Sequence, residues 1–286
     1  MKLAVVLQYL LPKQAITALA GKLANMQCGA LTTKVITWFI KRYQVNMAEA
    51  ANTDITSYAS FNDFFTRPLK PGARPLAKAE FICPVDGAIS QFGNIEQDQI
   101  FQAKNHNYSI LSLVAGNLTL AHKFENGLFA CLYLSPKDYH RIHMPCDGSL
   151  KSMTYVPGDL FSVNPTTAAN VANLFARNER VVCEFESALH GTFVMVLVGA
   201  TIVGSMATIW HDAKNGIINP PRSKKVRTWL YENQNITLKQ GDEMGRFLLG
   251  STVVMLFEKN ALQFNTNWQP TQPIELGELM GNRPAV

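Results

Sequence analysis

Little of the sequence is charged. Asp, Glu, Lys and Arg make up 16% of 286 residues, against 47% hydrophobic. That balance excludes intrinsic disorder, which requires low hydrophobicity and high charge. No period recurs, and Gly and Pro stand at ordinary levels, so collagen-like and repeat architectures are excluded. The five cysteines, Cys28, Cys83, Cys131, Cys146 and Cys183, are odd in number, irregular in spacing and without a C-x-x-C pair. This disfavours a disulfide framework and a structural zinc site, and a reducing compartment fits best. Also missing are the phosphate loop G-x-x-x-x-G-K-[ST], the dinucleotide fingerprint G-x-G-x-x-G, H-E-x-x-H and the hydrolase elbow G-x-S-x-G.

What charge there is lies unevenly. Residues 1–50 hold Lys2, Lys13, Lys22, Lys34, Lys41 and Arg42 against one acid, Glu49, which accounts for the whole net charge of +5. A basic, apolar front on a neutral body points to an anionic membrane surface. Nucleic acid is disfavoured, because the basic residues alternate with long aliphatics instead of clustering. Residues 31–42 (LTTKVITWFIKR) read as an interfacial helix, with Leu31, Val35, Trp38 and Phe39 on one face and Lys34, Lys41 and Arg42 elsewhere. The apolar run at residues 3–11 resembles a secretory signal, but Pro12-Lys13-Gln14 interrupts it and amphipathic character continues beyond. Residues 191–210 are uncharged and long enough to span a bilayer. Nine of the twenty are Val, Ile or Thr and glycines divide them, so paired buried strands are expected instead.

Strand-like runs follow from about residue 80: 81–82, 127–134, 181–185, 192–198, 201–209, 226–231 and 252–257. Residues 66–76, with three prolines, read as an extended linker, and residues 165–178 as a helix capped by Asn164. The expected fold is α+β: a helical, membrane-contacting region over 1–65, then an antiparallel β-rich catalytic domain over 66–286.

Four local sequences could carry chemistry. Pro84-Val85-Asp86-Gly87 reads most simply as a turn. His140 and His143, three apart after a strand, could bind a metal, relay protons or cap backbone; a third metal ligand is not evident. Gly245-Arg246-Phe247 leads into Leu249-Gly250-Ser251-Thr252, where a glycine inside an apolar run lets another group approach the backbone. The aromatics of Phe61-Asn62-Asp63-Phe64-Phe65-Thr66-Arg67 could be core, and Arg67 a solvated linker residue.

Taken in order, these four segments resemble the phosphatidylserine decarboxylases, in the bacterial, membrane-associated form. The resemblance runs from about residue 55 to 275 without departure at the motif positions, while the N-terminus is similar more in character than in letters. It implies a proenzyme that cuts itself between Gly250 and Ser251 into a β chain 1–250 and an α chain 251–286, which stay together as a heterodimer with a further dimer left open. Ser251 would attack the carbonyl of Gly250, with His143 as base and Asp86 accepting the other imidazole N–H. Elimination and loss of ammonia would leave a pyruvoyl group at the new N-terminus, a covalent cofactor that forms a Schiff base with phosphatidylserine and takes up the charge left by CO₂. His140 is expected to position substrate or donate a proton, with Asp138 a neighbour. No metal is implied. Phosphatidylethanolamine would be the product, at the cytoplasmic face of the bacterial membrane, with the protein attached peripherally.

Other readings use the same residues. A serine hydrolase built on Asp86, His143 and Ser251 would remain one chain and react with serine-directed probes. A lipid-binding module would tolerate Ser251→Ala. A pyridoxal-phosphate enzyme is the poorest, since no phosphate cup lies near a candidate lysine.

Overall fold

The computed structural model describes residues 3–103, 106–201, 206–211, 217–218, 224–248 and 252–284. The chain opens with α1 (Leu3–Leu10), α2 (Lys13–Asn25) and α3 (Ala30–Tyr43), followed by the short α4 (Phe61–Phe65). Pro12 stands at the break between α1 and α2, and Gln44 closes α3 in the left-handed conformation. A capping box holds the start of α4: Ser60 accepts from the backbone N–H of Asp63, whose carboxylate accepts from that of Ser60.

The expected apolar face of α3 divides in two. Phe39 turns inward, together with Ile36 from outside that face, onto Phe64 and Phe65 of α4. Leu31, Val35 and Trp38 stay outside, with Leu31 61% and Trp38 59% exposed. With Leu23 and Met26 of α2 they line an apolar groove of about 460 Å³. At the other end of this region, Val5 of α1 is buried in the body, where Gln8 accepts from the backbone N–H of Ser162 and Lys13 lies over Phe161.

The body is built on a nine-stranded antiparallel sheet. Eight strands run in the spatial order Arg227–Leu230, Gly148–Val156, Arg180–Ser187, Gly191–Val198, Thr252–Phe257, Leu128–Tyr133, Gly87–Asn94 and Pro273–Ile274, and Thr237–Leu238 adds to the second. Both faces are covered. Val253, Met255 and Phe257 enter one core and Val254 and Leu256 the other, so a strand buried on both sides reads as an unbroken apolar run. A second antiparallel sheet joins Ile217–Ile218, Met206–Thr208, Glu243–Phe247 and Arg141–His143.

Residues 191–210 thus form strands, as expected, but Gly191–Val198 and Met206–Thr208 belong to different sheets and do not pair with each other; residues 202–205 lie outside the described residues. Among the described residues no helix is long and apolar enough to cross a membrane. The helix expected over 165–178 is broken into Pro165–Ala168 and Leu174–Arg177, because Asn173 adopts the left-handed conformation between them. Asn164 does cap the first piece, accepting from the N–H of Thr167.

Candidate active site

Backbone pairing brings three of the four sequence segments together, and an arginine side chain ties in the fourth. Glu243–Phe247 lies antiparallel to Arg141–His143, with Gly245 opposite Ile142 and Arg246 opposite Arg141. The N–H of Phe247 donates to the carbonyl of His140, and that of His143 to the carbonyl of Pro84. Arg141 ties the cluster to the end of α4, donating to the carbonyl of Thr66 and pairing with Glu243 at 2.7 Å. Two motif glycines are there for want of space. A Cβ on Gly87 would lie 2.3 Å from the carbonyl oxygen of Tyr133, and one on Gly245 equally close to that of Ala207.

Gly250 and Ser251 lie outside the described residues. Thr252, the next residue, is fully buried between Tyr133 and Val198, and its hydroxyl has no hydrogen-bond partner among the described residues.

The ring of His143 is fixed at both nitrogens. Nδ1 is 2.8 Å from the carbonyl of Gly241, which can only accept, so Nδ1 carries the proton. Nε2 is therefore an acceptor, 3.1 Å from the hydroxyl of Tyr139. Gly241 reaches its position through a φ of 83°, in the region glycine favours. Burial pushes the His143 pKa down, and the charges of Glu243 and Asp86 oppose that shift.

Asp86 is close enough to act on His143 through space but makes no hydrogen bond to it, which corrects the arrangement expected from the sequence. A buried carboxylate needs strong donors, and Arg74 supplies them. Arg74 Nη2 is 2.7 Å from Oδ2 and Nε 3.0 Å from Oδ1, while the backbone N–H of Leu276 donates to Oδ1 at 2.8 Å. Arg74 also pairs with Glu49.

His140 is wholly buried against Phe65, ring centroids 4.0 Å apart. Its Nδ1–H donates to the carbonyl of Asp138, leaving Nε2 an acceptor without a partner among the described residues. Burial lowers its pKa to about 3, so the ring is neutral near pH 7. Asp138 accepts from the N–H of Ser135, and burial raises its pKa.

Beside these groups opens a polar cavity of about 390 Å³, lined among others by Asp86, Arg74, Arg67, Tyr139 and Asp138. Sequence reasoning assigned no role to Tyr139, Gly241, Arg67 or Arg74. Gly241 acts through its carbonyl, which no side-chain pattern marks, and both arginines sit in a proline-rich stretch that reads as solvated.

The family model described as phosphatidylserine decarboxylase matches residues 61–282. The chain belongs to that family. Membership makes it a decarboxylase. A second model, described as PSD, matches residues 3–44, so the N-terminal helices carry family sequence and not only family character. A phosphatidylserine decarboxylase proenzyme of Dechloromonas aromatica is 68% identical over 281 residues, covering 98% of each chain. Those of Methylobacillus flagellatus and Albidiferax ferrireducens are 68% and 66% identical, over 96% of each chain and over 100% of this chain and 99% of the relative.

Proposed function

We propose that the chain matures by self-cleavage between Gly250 and Ser251 and then decarboxylates phosphatidylserine to phosphatidylethanolamine at an anionic membrane surface. The observation that carries this reading is a histidine with its Nδ1–H anchored and its Nε2 lone pair directed at the hydroxyl of Tyr139, a residue that lines the polar cavity. A serine hydroxyl is a weak nucleophile at neutral pH and needs such a base. In this reading His143 Nε2 takes the proton of Ser251, reached directly or through the hydroxyl of Tyr139, as Ser251 Oγ attacks the carbonyl carbon of Gly250. The carbonyl of Gly241 holds the tautomer, and Asp86 favours the imidazolium through space. β-Elimination of the resulting ester frees the carboxylate of Gly250, and hydrolysis releases ammonia.

The pyruvoyl group left on the 251–286 chain would supply a carbonyl for a Schiff base with the substrate amine and a sink for the charge left by CO₂. The surroundings fit it. The hydroxyl of Thr252 and Nε2 of His140 are buried without partners among the described residues, as expected where a further polar group is to be received. His140 Nε2 can only accept, so in this reading it positions the amine, and a proton-donating role would require it to be charged first. Residues 1–65 form the membrane-associating region and 66–286 the catalytic domain; the two cut chains form a heterodimer. Exposed Leu31, Val35 and Trp38 enter the interface while Lys34, Lys41 and Arg42 meet anionic headgroups, at the cytoplasmic face of the cell membrane.

The test is the denatured intact mass of fresh protein. Two species matching 1–250 and 251–286, the smaller lighter than a hydrolytic fragment by one ammonia, are expected. A single full-length mass that persists after anionic lipid is added would overturn the reading, and a serine hydrolase would then account better for His143.

A further inference from the structure

Arg67 is the residue of the cavity that its surroundings leave least satisfied. It is only 4% exposed, lies over the ring of Phe64, and has among the described residues a single protein acceptor, the carbonyl of Lys137 at 3.5 Å from Nη2. Its Nε–H has no partner, and no carboxylate lies within ion-pairing distance among the described residues. Its neighbours behave differently. Arg74 is paired with Asp86 and Glu49, and Arg141 with Glu243. Arg180 is buried too, but Nε, Nη1 and Nη2 all donate to carbonyls, those of Leu113, Ala176, Asn178 and Ser112. A desolvated guanidinium with open donors on a cavity wall is a site for an anion.

We infer that Arg67 binds the phosphodiester of the substrate's headgroup. The inference rests on the decarboxylase reading above. Phosphatidylserine offers two anions, and the chemistry chooses between them. The carboxylate loses its charge as CO₂ departs, so a buried arginine paired with it would stabilise the ground state more than the transition state and slow the reaction. The phosphodiester keeps its charge throughout, and pairing there holds the lipid without cost to the chemical step. The guanidinium fork suits two phosphate oxygens at once. Arg67 also stands close enough to His140 to act on it electrostatically. Of the acids lining the cavity, Asp86 and Glu49 pair with Arg74, Glu275 lies 3.7 Å from it, and Asp138 accepts from the N–H of Ser135, so none of them forms an ion pair with Arg67.

Arg67→Gln and Arg67→Lys would be compared with the wild-type chain in two ways. The first is intact mass with kcat and KM on phosphatidylserine in mixed micelles. The second is the rise in melting temperature that glycerophosphoserine or inorganic phosphate gives each sequence in an uncut Ser251→Ala background. We expect both variants to cut normally. KM should rise about tenfold or more in Arg67→Gln and by less in Arg67→Lys, with kcat little changed, and the stabilisation by glycerophosphoserine should disappear in Arg67→Gln. An unchanged KM in a fully cut Arg67→Gln enzyme would overturn the assignment. So would equal stabilisation by inorganic phosphate, which would indicate a free-phosphate site. If Arg67→Gln fails to fold, a wild-type KM in Arg67→Lys, which keeps the charge but loses the fork, overturns it instead. If the wild-type chain makes no phosphatidylethanolamine, the decarboxylase reading fails, and the binding arm still decides whether Arg67 holds a phosphodiester.

Discussion

Replacing Arg74 by methionine removes the one cation that neutralises Asp86, and the structure sets the scale of the loss. Both side chains are 9% exposed, and Arg74 gives Asp86 hydrogen bonds from Nε and Nη2. Without them the carboxylate keeps only the N–H of Leu276. Stranding a buried charge in this way costs roughly 3–5 kcal/mol. Glu49, a third exposed, turns to water and adds about 1 kcal/mol or less. Arg74→Met should therefore destabilise the chain by about 3 kcal/mol or more. Arg74→Met combined with Asp86→Leu should recover about 2 kcal/mol of that, because no charge is then left unpaired. The assay is urea unfolding of all four members of the cycle in the Ser251→Ala background, where a single chain unfolds. The reasoning is refuted if Arg74→Met costs under about 1 kcal/mol or the two changes simply add.

Three further outcomes follow from other parts of the molecule. The pKa of His140 falls from its unfolded value to about 3 on folding, so the unfolded state binds more protons between those values. Its contribution is complete above the unfolded pKa and is lost as pH falls toward the folded one, by up to about 1.4 kcal/mol per unit; the urea midpoint should drop from pH 7 to pH 5, and less steeply in His140→Gln. Gly87→Ala must push the backbone of Tyr133 aside, so a loss of several degrees in Tm is expected, and an unchanged melt would contradict the packing. Trp38→Ser removes an exposed indole from the outer face of α3 without changing charge, and sedimentation with anionic vesicles should weaken by about tenfold, an effect absent if α3 does not meet lipid.

Most of the strands that were legible in the sequence share one property, burial on both sides; Arg227–Leu230, also expected, is largely exposed. Phe81–Ile82 and Thr252–Phe257 are found as expected, since their apolar runs have no solvent face to interrupt them. Gly148–Val156 went unread although it lies inside the main sheet. Lys151 and Ser152 break its pattern at a bulge between Leu150 and Ser152, where the register shifts. Glu243–Phe247 was obscured by Gly245, whose missing side chain is what lets the strand approach Ala207. Of the candidate site, the sequence marked Asp86, His140 and His143 and the segments around them. It could not show that Asp86 turns to Arg74, because the pairing depends on where a proline-rich linker is laid across the body. Nor could it show that Arg67 is buried, since its spacing is that of any surface arginine.

The place of Thr252–Phe257 has a consequence for a chain cut just before it. Six residues pair on one side with Leu128–Tyr133 and six on the other with Gly191–Val198, and farther on Leu279–Asn282 pairs with Phe81–Ile82. Opening the backbone ahead of this strand is a nick in the middle of a fabric and releases nothing. The strand that would follow a new end is already clamped on both flanks, and the shorter piece could leave only if the longer one unravelled. Fragments made separately and mixed would have to weave a central strand into a finished sheet. The fold therefore favours making the two pieces as one thread and severing it afterwards.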